Sequence, residues 1–144
     1  MKSTIRILIA DHDRWLAAAT RRCLELQGYT VLVATDGINC VDELHTLAPS
    51  LLVLDAEILW READGVLDLL IHEEPLLPLS VAVVESSDNQ QIPESLNPRI
   101  DCRLQRPKTI NDLLPFVHRL EELAQRVVSS NRDSQMKLSH SSRM

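Results

Sequence analysis

The chain has 144 residues, 44% of them hydrophobic, and a net charge of −6 from 15 Lys and Arg against 21 Asp and Glu. This length and apolar content describe one domain with enough core to fold without disulfides or metal, and the acidic balance argues against nucleic acid or an anionic membrane surface as a partner, since both demand a basic footprint. The three cysteines, Cys23, Cys40 and Cys102, have no CxxC spacing, which disfavours a zinc ribbon or a secreted disulfide framework, and the start shows no apolar leader, so the expected location is cytoplasmic.

Residues 5–10 are nearly continuous in apolar character, as in a central parallel strand covered on both faces. Leu16, Ala19, Cys23 and Leu26 then recur at helical spacing, and Gly28 follows as a residue free to close the helix with positive φ. Tyr29–Ala34 reads as a second strand. Asp36-Gly37 punctuates it, and Cys40, Val41 and Leu44 mark one face of a second helix that ends before Pro49. Leu51–Leu54 is an apolar run delivering Asp55 at its carboxyl end, in a position like that of Asp11.

Val66, Leu67, Leu69 and Leu70 predict a third helix, and Leu79–Val84 a fourth strand. Residues 85–98 are polar and broken by Pro93 and Pro98, so the fourth helix is expected to be short or irregular. Ile100–Gln105 reads as a fifth strand. Ile110, Leu113, Leu114, Val117, Leu120, Leu123 and Val127 trace a final amphipathic helix, opened by a capping box of Thr109 and Asp112. The Ser-rich stretch 129–144 reads as a disordered polar tail. Five strands alternating with helices predict an α/β fold: a doubly wound five-stranded parallel sheet with helices on both faces, over residues 1–128. In such sheets ligands gather at the carboxyl ends of the strands where strand order reverses, so Asp11 and Asp55 should meet there.

Six landmarks now stand in order: Ile7-Leu8-Ile9-Ala10-Asp11-His12-Asp13, Gly28-Tyr29, Asp36-Gly37, Leu52-Val53-Leu54-Asp55, Leu77-Pro78 and Arg106-Pro107. Together they resemble the receiver domain of bacterial response regulators, the CheY-like family. The resemblance implies a non-enzymatic switch of two-component phosphorelay signalling. Its phospho-acceptor would be Asp55, its donor a histidine kinase or phosphotransfer protein, and its output an unknown downstream protein. A carboxylate attacking phosphorus brings anion to anion, so Mg²⁺ is the implied cofactor. By position its ligands would be Asp11, Asp55 and the Glu57 carbonyl, and Pro107 is a candidate for a cis peptide.

Other positions depart from the family pattern. His12 stands where a second acid belongs, and an imidazole suits zinc or copper better than Mg²⁺; Asp13, one residue later, is the other candidate, so Mg²⁺ binding is expected to be weak. Under the resemblance, Val83 falls in the slot of a Thr or Ser that follows strand four, and Arg103 in that of an aromatic switch residue. Arg106 replaces a Lys, either as a phosphoryl clamp or as a permanent ion-pair partner of Asp55 and Asp11. The second role would make the domain a phosphorylation-independent pseudo-receiver, a binding module with a locked acidic pocket. Leu59 replaces a Pro, Trp15 and Trp60 read as packing residues, and the cysteines as core. A small flavodoxin-like enzyme is the third reading, but the chain has no Gly-rich phosphate loop or nucleophile elbow.

Overall fold

The computed structural model describes residues 5–58, 63–72, 79–86 and 94–141, with side chains described as far as Val127. The apolar runs form the strands β1 (Arg6–Ala10), β2 (Thr30–Ala34), β3 (Leu51–Asp55), β4 (Ser80–Glu85) and β5 (Cys102–Gln105). All pair in parallel in the order β2-β1-β3-β4-β5. Around them lie α1 (Arg14–Leu26), α2 (Gly37–Leu47), α3 (Ala63–His72), a 3-10 helix at Glu94–Arg99, and α4 (Ile110–Ser141). The short 3-10 helix occupies the stretch expected to be irregular, and it contains Pro98, which has no N–H to donate to a regular ladder.

Strand alternation sorts the core into two layers. Ile7, Ile9, Leu51, Val53, Ala82 and Val84 pack against α1 and α4, whereas Leu8, Ala10, Leu52, Leu54, Val81 and Val83 pack against α2 and α3. A β-strand turns successive side chains to opposite faces, so strands buried on both sides must be apolar at every position. Full burial of Ile7, Leu8, Leu52 and Leu54 contributes about 1.5–3 kcal/mol each. Strand order reverses between β1 and β3, whose carboxyl ends lie side by side because the two strands pair in parallel, and this is where Asp11 and Asp55 emerge.

Local signals set the element ends. Asp13 caps α1, its Oδ1 accepting from Trp15 N–H at 3.1 Å and Leu16 N–H at 3.2 Å. Gly28 closes that helix at φ 97°, with Tyr29 N–H reaching back to Leu24 O at 3.2 Å. Asp36 caps α2 through Asn39 N–H at 2.8 Å. At the start of α4 the Asp112 carboxylate accepts from Thr109 N–H at 3.3 Å, the N3 half of the expected capping box.

Several expectations are corrected. The inward face of α1 is Leu16, Ala17, Thr20 and Leu24, and Leu26 is 72% exposed because the capping turn carries it past the sheet. Trp15 is 59% exposed in the first turn, so it is a surface residue and not packing. The Arg106–Pro107 peptide is trans, the intrinsically favoured X–Pro isomer, while Arg106 N–H extends the sheet pairing to Glu85 O at 2.9 Å. The backbone of α4 runs on as helix to Ser141 through the stretch read as a disordered tail, since no Gly or Pro follows Pro115 to stop it. Of the cysteines Cys40 alone is fully buried; Cys23 and Cys102 are half-buried. Leu59, Trp60, Leu77-Pro78 and Pro93 lie outside the described residues.

Candidate functional site

Asp11 and Asp55 sit one residue beyond Ala10 and Leu54, which are paired across β1 and β3. Both carboxylates are buried, at 3% and 1% exposure. The loop turns fix their orientation: Asp13 N–H donates to Asp11 Oδ1 at 2.9 Å and Glu57 N–H to Asp55 Oδ1 at 2.9 Å. Arg106 enters from the end of β5. Its Nη2 lies 2.8 Å from Asp55 Oδ1 and 3.2 Å from each Asp11 oxygen, bridging the two acids. His12 folds over Asp55, donating its backbone N–H to Oδ2 at 3.4 Å and placing ring Nδ1 against the same oxygen.

The electrostatics follow from this arrangement. Burial pushes the Asp11 carboxyl up to about 6 from 3.8, helped by the charge of Asp55 and opposed by the Asp13 N–H and Arg106. Burial also works against ionised Asp55, but the Glu57 N–H, His12 and Arg106 outweigh it and hold this carboxyl below the usual value. Asp55 therefore stays ionised, and Asp11 is the one that takes a proton first on acidification.

Asp11, His12 and Asp55 bring ligand-type atoms within 4.8 Å of one another, a grouping that could hold a metal ion. The arrangement does not fit Mg²⁺ as it stands. Each of the four carboxylate oxygens already accepts from a protein donor, a guanidinium lies between the acids, and one member of the cluster is an imidazole where Mg²⁺ asks for hard oxygen. Asp13 makes no substitute ligand: one oxygen caps α1, and the other lies 3.9 Å from Arg106 Nη1. The structure gives Glu57 a backbone role at Asp55 through its N–H.

Val83, in the slot where the resemblance expects a Thr or Ser, pairs with Leu54 on β3 and with Arg103 on β5 and is fully buried in the layer facing α2 and α3. The residue registered with Asp55 is Val84, and Ser86 follows two positions later, half-buried just past the end of β4. Arg103 is paired across the sheet with Val83 and points to neither acid. Its guanidinium bonds Glu85 Oε1 at 3.0 Å and reaches Asn97 on the 3-10 helix, so a polar tie occupies the place of the expected aromatic.

A parallel sheet with a buried Asp at its switch point, a second acid beside it and a cation from the last strand defines the receiver class of α/β domain. No protein-family model matches the chain. It is 31% identical over 113 residues to the response regulator MprA of Mycobacterium bovis, a match covering 77% of this chain and 48% of that protein. The chain thus spans about half the length of the curated relatives it matches. Among solved structures it resembles the response regulator domain of Thermotoga maritima CheB, with a TM-score of 0.72 at 19% identity over 87% of this chain and 96% of the other. It also resembles a CheY-like receiver domain protein of Methanospirillum hungatei, with a TM-score of 0.69 at 15% identity over 84% and 97%. Fold and relatives together make this chain a receiver domain of the CheY-like type. Among the described residues no helix is long and apolar enough to cross a membrane.

Proposed function

We propose that the chain is a two-component signalling receiver that accepts a phosphoryl group on Asp55 and acts through protein–protein contacts in the cytoplasm. The observation that carries this reading is the convergence on Asp55 of a buried second acid and a guanidinium 2.8 Å from Oδ1. A histidine kinase or phosphotransfer protein is the donor. An Asp55 oxygen attacks phosphorus, the bond from phosphorus to the donor imidazole breaks, and the guanidinium offsets charge on the phosphoryl oxygens. Val83, in the slot where the resemblance expects a Thr or Ser, offers no hydroxyl to the phosphoryl oxygens. Mg²⁺ enters only as a weak competitor of Arg106 for the two acids.

One observation favours a second reading. With every oxygen of Asp11 and Asp55 engaged by a protein donor, the pocket is satisfied without phosphate or metal, as in a pseudo-receiver that binds its partner in one fixed state. Intact mass after incubation with acetyl phosphate and Mg²⁺ separates the two. The Asp55 reading expects one hydroxylamine-labile phosphoryl group, absent from Asp55→Asn. No such adduct on the wild-type chain supports the pseudo-receiver, and one that persists in the variant refutes the assignment to Asp55.

A further inference from the structure

Two nucleophiles stand at this pocket, and the structure gives them unequal access. Asp55 is 1% exposed, and its oxygens are taken by Glu57 N–H, Arg106 and His12. The His12 side chain lies across it and is 38% exposed. Nδ1 faces a carboxylate that is ionised, so the proton between them belongs on Nδ1. That leaves Nε2 as the nitrogen carrying the lone pair in the neutral ring, and Nε2 has no protein partner among the described residues. A carboxylate behind one ring nitrogen fixes the tautomer and stabilises the cationic ring that forms when the other nitrogen attacks, the same logic that activates imidazole beside a buried Asp. A leftover donor is present in the same cluster, since Arg106 Nη1 is buried without a hydrogen-bond acceptor.

We propose that His12 is a second phosphoryl acceptor of this pocket, taking the group on Nε2. The inference goes beyond the Asp55 reading and shares only the pocket with it. With phosphoramidate as donor the Nε2 lone pair forms the new bond to phosphorus, the P–N bond of the donor breaks, and ammonia leaves with that electron pair. The ring becomes cationic, keeps its Nδ1 proton, and remains paired with the Asp55 carboxylate. The product is a phosphoramidate, stable to alkali and labile to acid, whereas an aspartyl phosphate is an acyl phosphate that alkali hydrolyses.

Two of the other described histidines, each beside a carboxylate, provide an internal control. His72 lies 3.4 Å from Asp68 and His118 3.5 Å from Glu121, each on an open helix surface with the side chain 71% exposed. If exposure alone decided reactivity, these would react before His12. If the buried carboxylate decides it, His12 reacts at least about tenfold faster.

The test is incubation of the full chain with phosphoramidate, quenching and holding in alkali until acyl phosphate is hydrolysed, and peptide mapping by mass spectrometry. We expect an alkali-resistant phosphoryl group on His12, ahead of His72 and His118, lost in His12→Gln. In Asp55→Asn it should remain but form more slowly, because an amide oxygen still accepts from Nδ1 but no longer balances the ring charge. Mapping in the wild-type chain settles the site even if a variant fails to fold. Resistant label spread equally over the histidines, or none at all, overturns the proposal. Parallel incubation with acetyl phosphate scores the alkali-labile group separately, by mass before and after alkali, so failure at His12 and failure at Asp55 give different results.

Discussion

Replacing Arg106 with Met would remove the one cation that bridges Asp11 and Asp55 while keeping the bulk of the side chain. An exposed ion pair contributes about 0–1 kcal/mol, but here the guanidinium contacts two carboxylates that are nearly inaccessible to water. Breaking a buried pair by deleting one partner costs about 3–5 kcal/mol because the other charge is stranded. The pH dependence fixes the sign. Asp11 is already pushed up to about 6 from 3.8 with Arg106 present, so between those values the folded chain binds more protons than the unfolded one, and stability falls as pH rises through that window. Without Arg106 the Asp11 value climbs further, so the loss should be fullest near pH 7.5 and smaller near pH 5, where Asp11 carries its proton. Asp55 runs the other way, its contribution being lost as pH falls through its lowered folded value. Urea denaturation of both proteins at the two pH values measures the difference, and added Mg²⁺ should return part of it at pH 7.5. A loss under about 1 kcal/mol at pH 7.5, or one that grows on acidification to pH 5, would refute the bridging role.

His12→Asp should tighten Mg²⁺ by about tenfold, since a hard oxygen replaces an imidazole; a calorimetric titration with no gain would show that His12 does not limit the site. Val83→Thr should cost about 1–3 kcal/mol by burying a hydroxyl in an apolar layer, measured by urea denaturation; no loss of stability would show that the hydroxyl finds a partner beside the pocket. Burial pushes the Cys40 thiol up to about 12, so in the folded chain Cys23 and Cys102 should react with iodoacetamide first and Cys40 only on unfolding.

The strands were legible because a sheet covered on both faces demands uninterrupted apolar runs, and their ends placed Asp11 and Asp55 together. Arg106 was legible as a cation near both acids, though its side-chain contacts depend on how β5 is registered on β4. Val83 and Arg103, the two departures at the switch positions, are neighbours across β4 and β5, a pairing set by strand register and not by their distance in sequence. His12 read as a doubtful ligand or a loop residue because its contact with Asp55 spans 43 positions of sequence and depends on the turn after β1. Arg103 was seen only as a missing aromatic, and its tie to Glu85 and Asn97 joins β5 to β4 and to the 3-10 helix.

Asp55 as phosphoryl acceptor is the centre of this account, and borohydride trapping tests it most directly. Reduction of an aspartyl phosphate converts that residue to homoserine, a change of mass that peptide sequencing places at a single position. After acetyl phosphate and borodeuteride the account expects deuterated homoserine at position 55 and at no other Asp. Homoserine at Asp11 or Asp13, or none at position 55 under conditions that label an ordinary receiver, would contradict it.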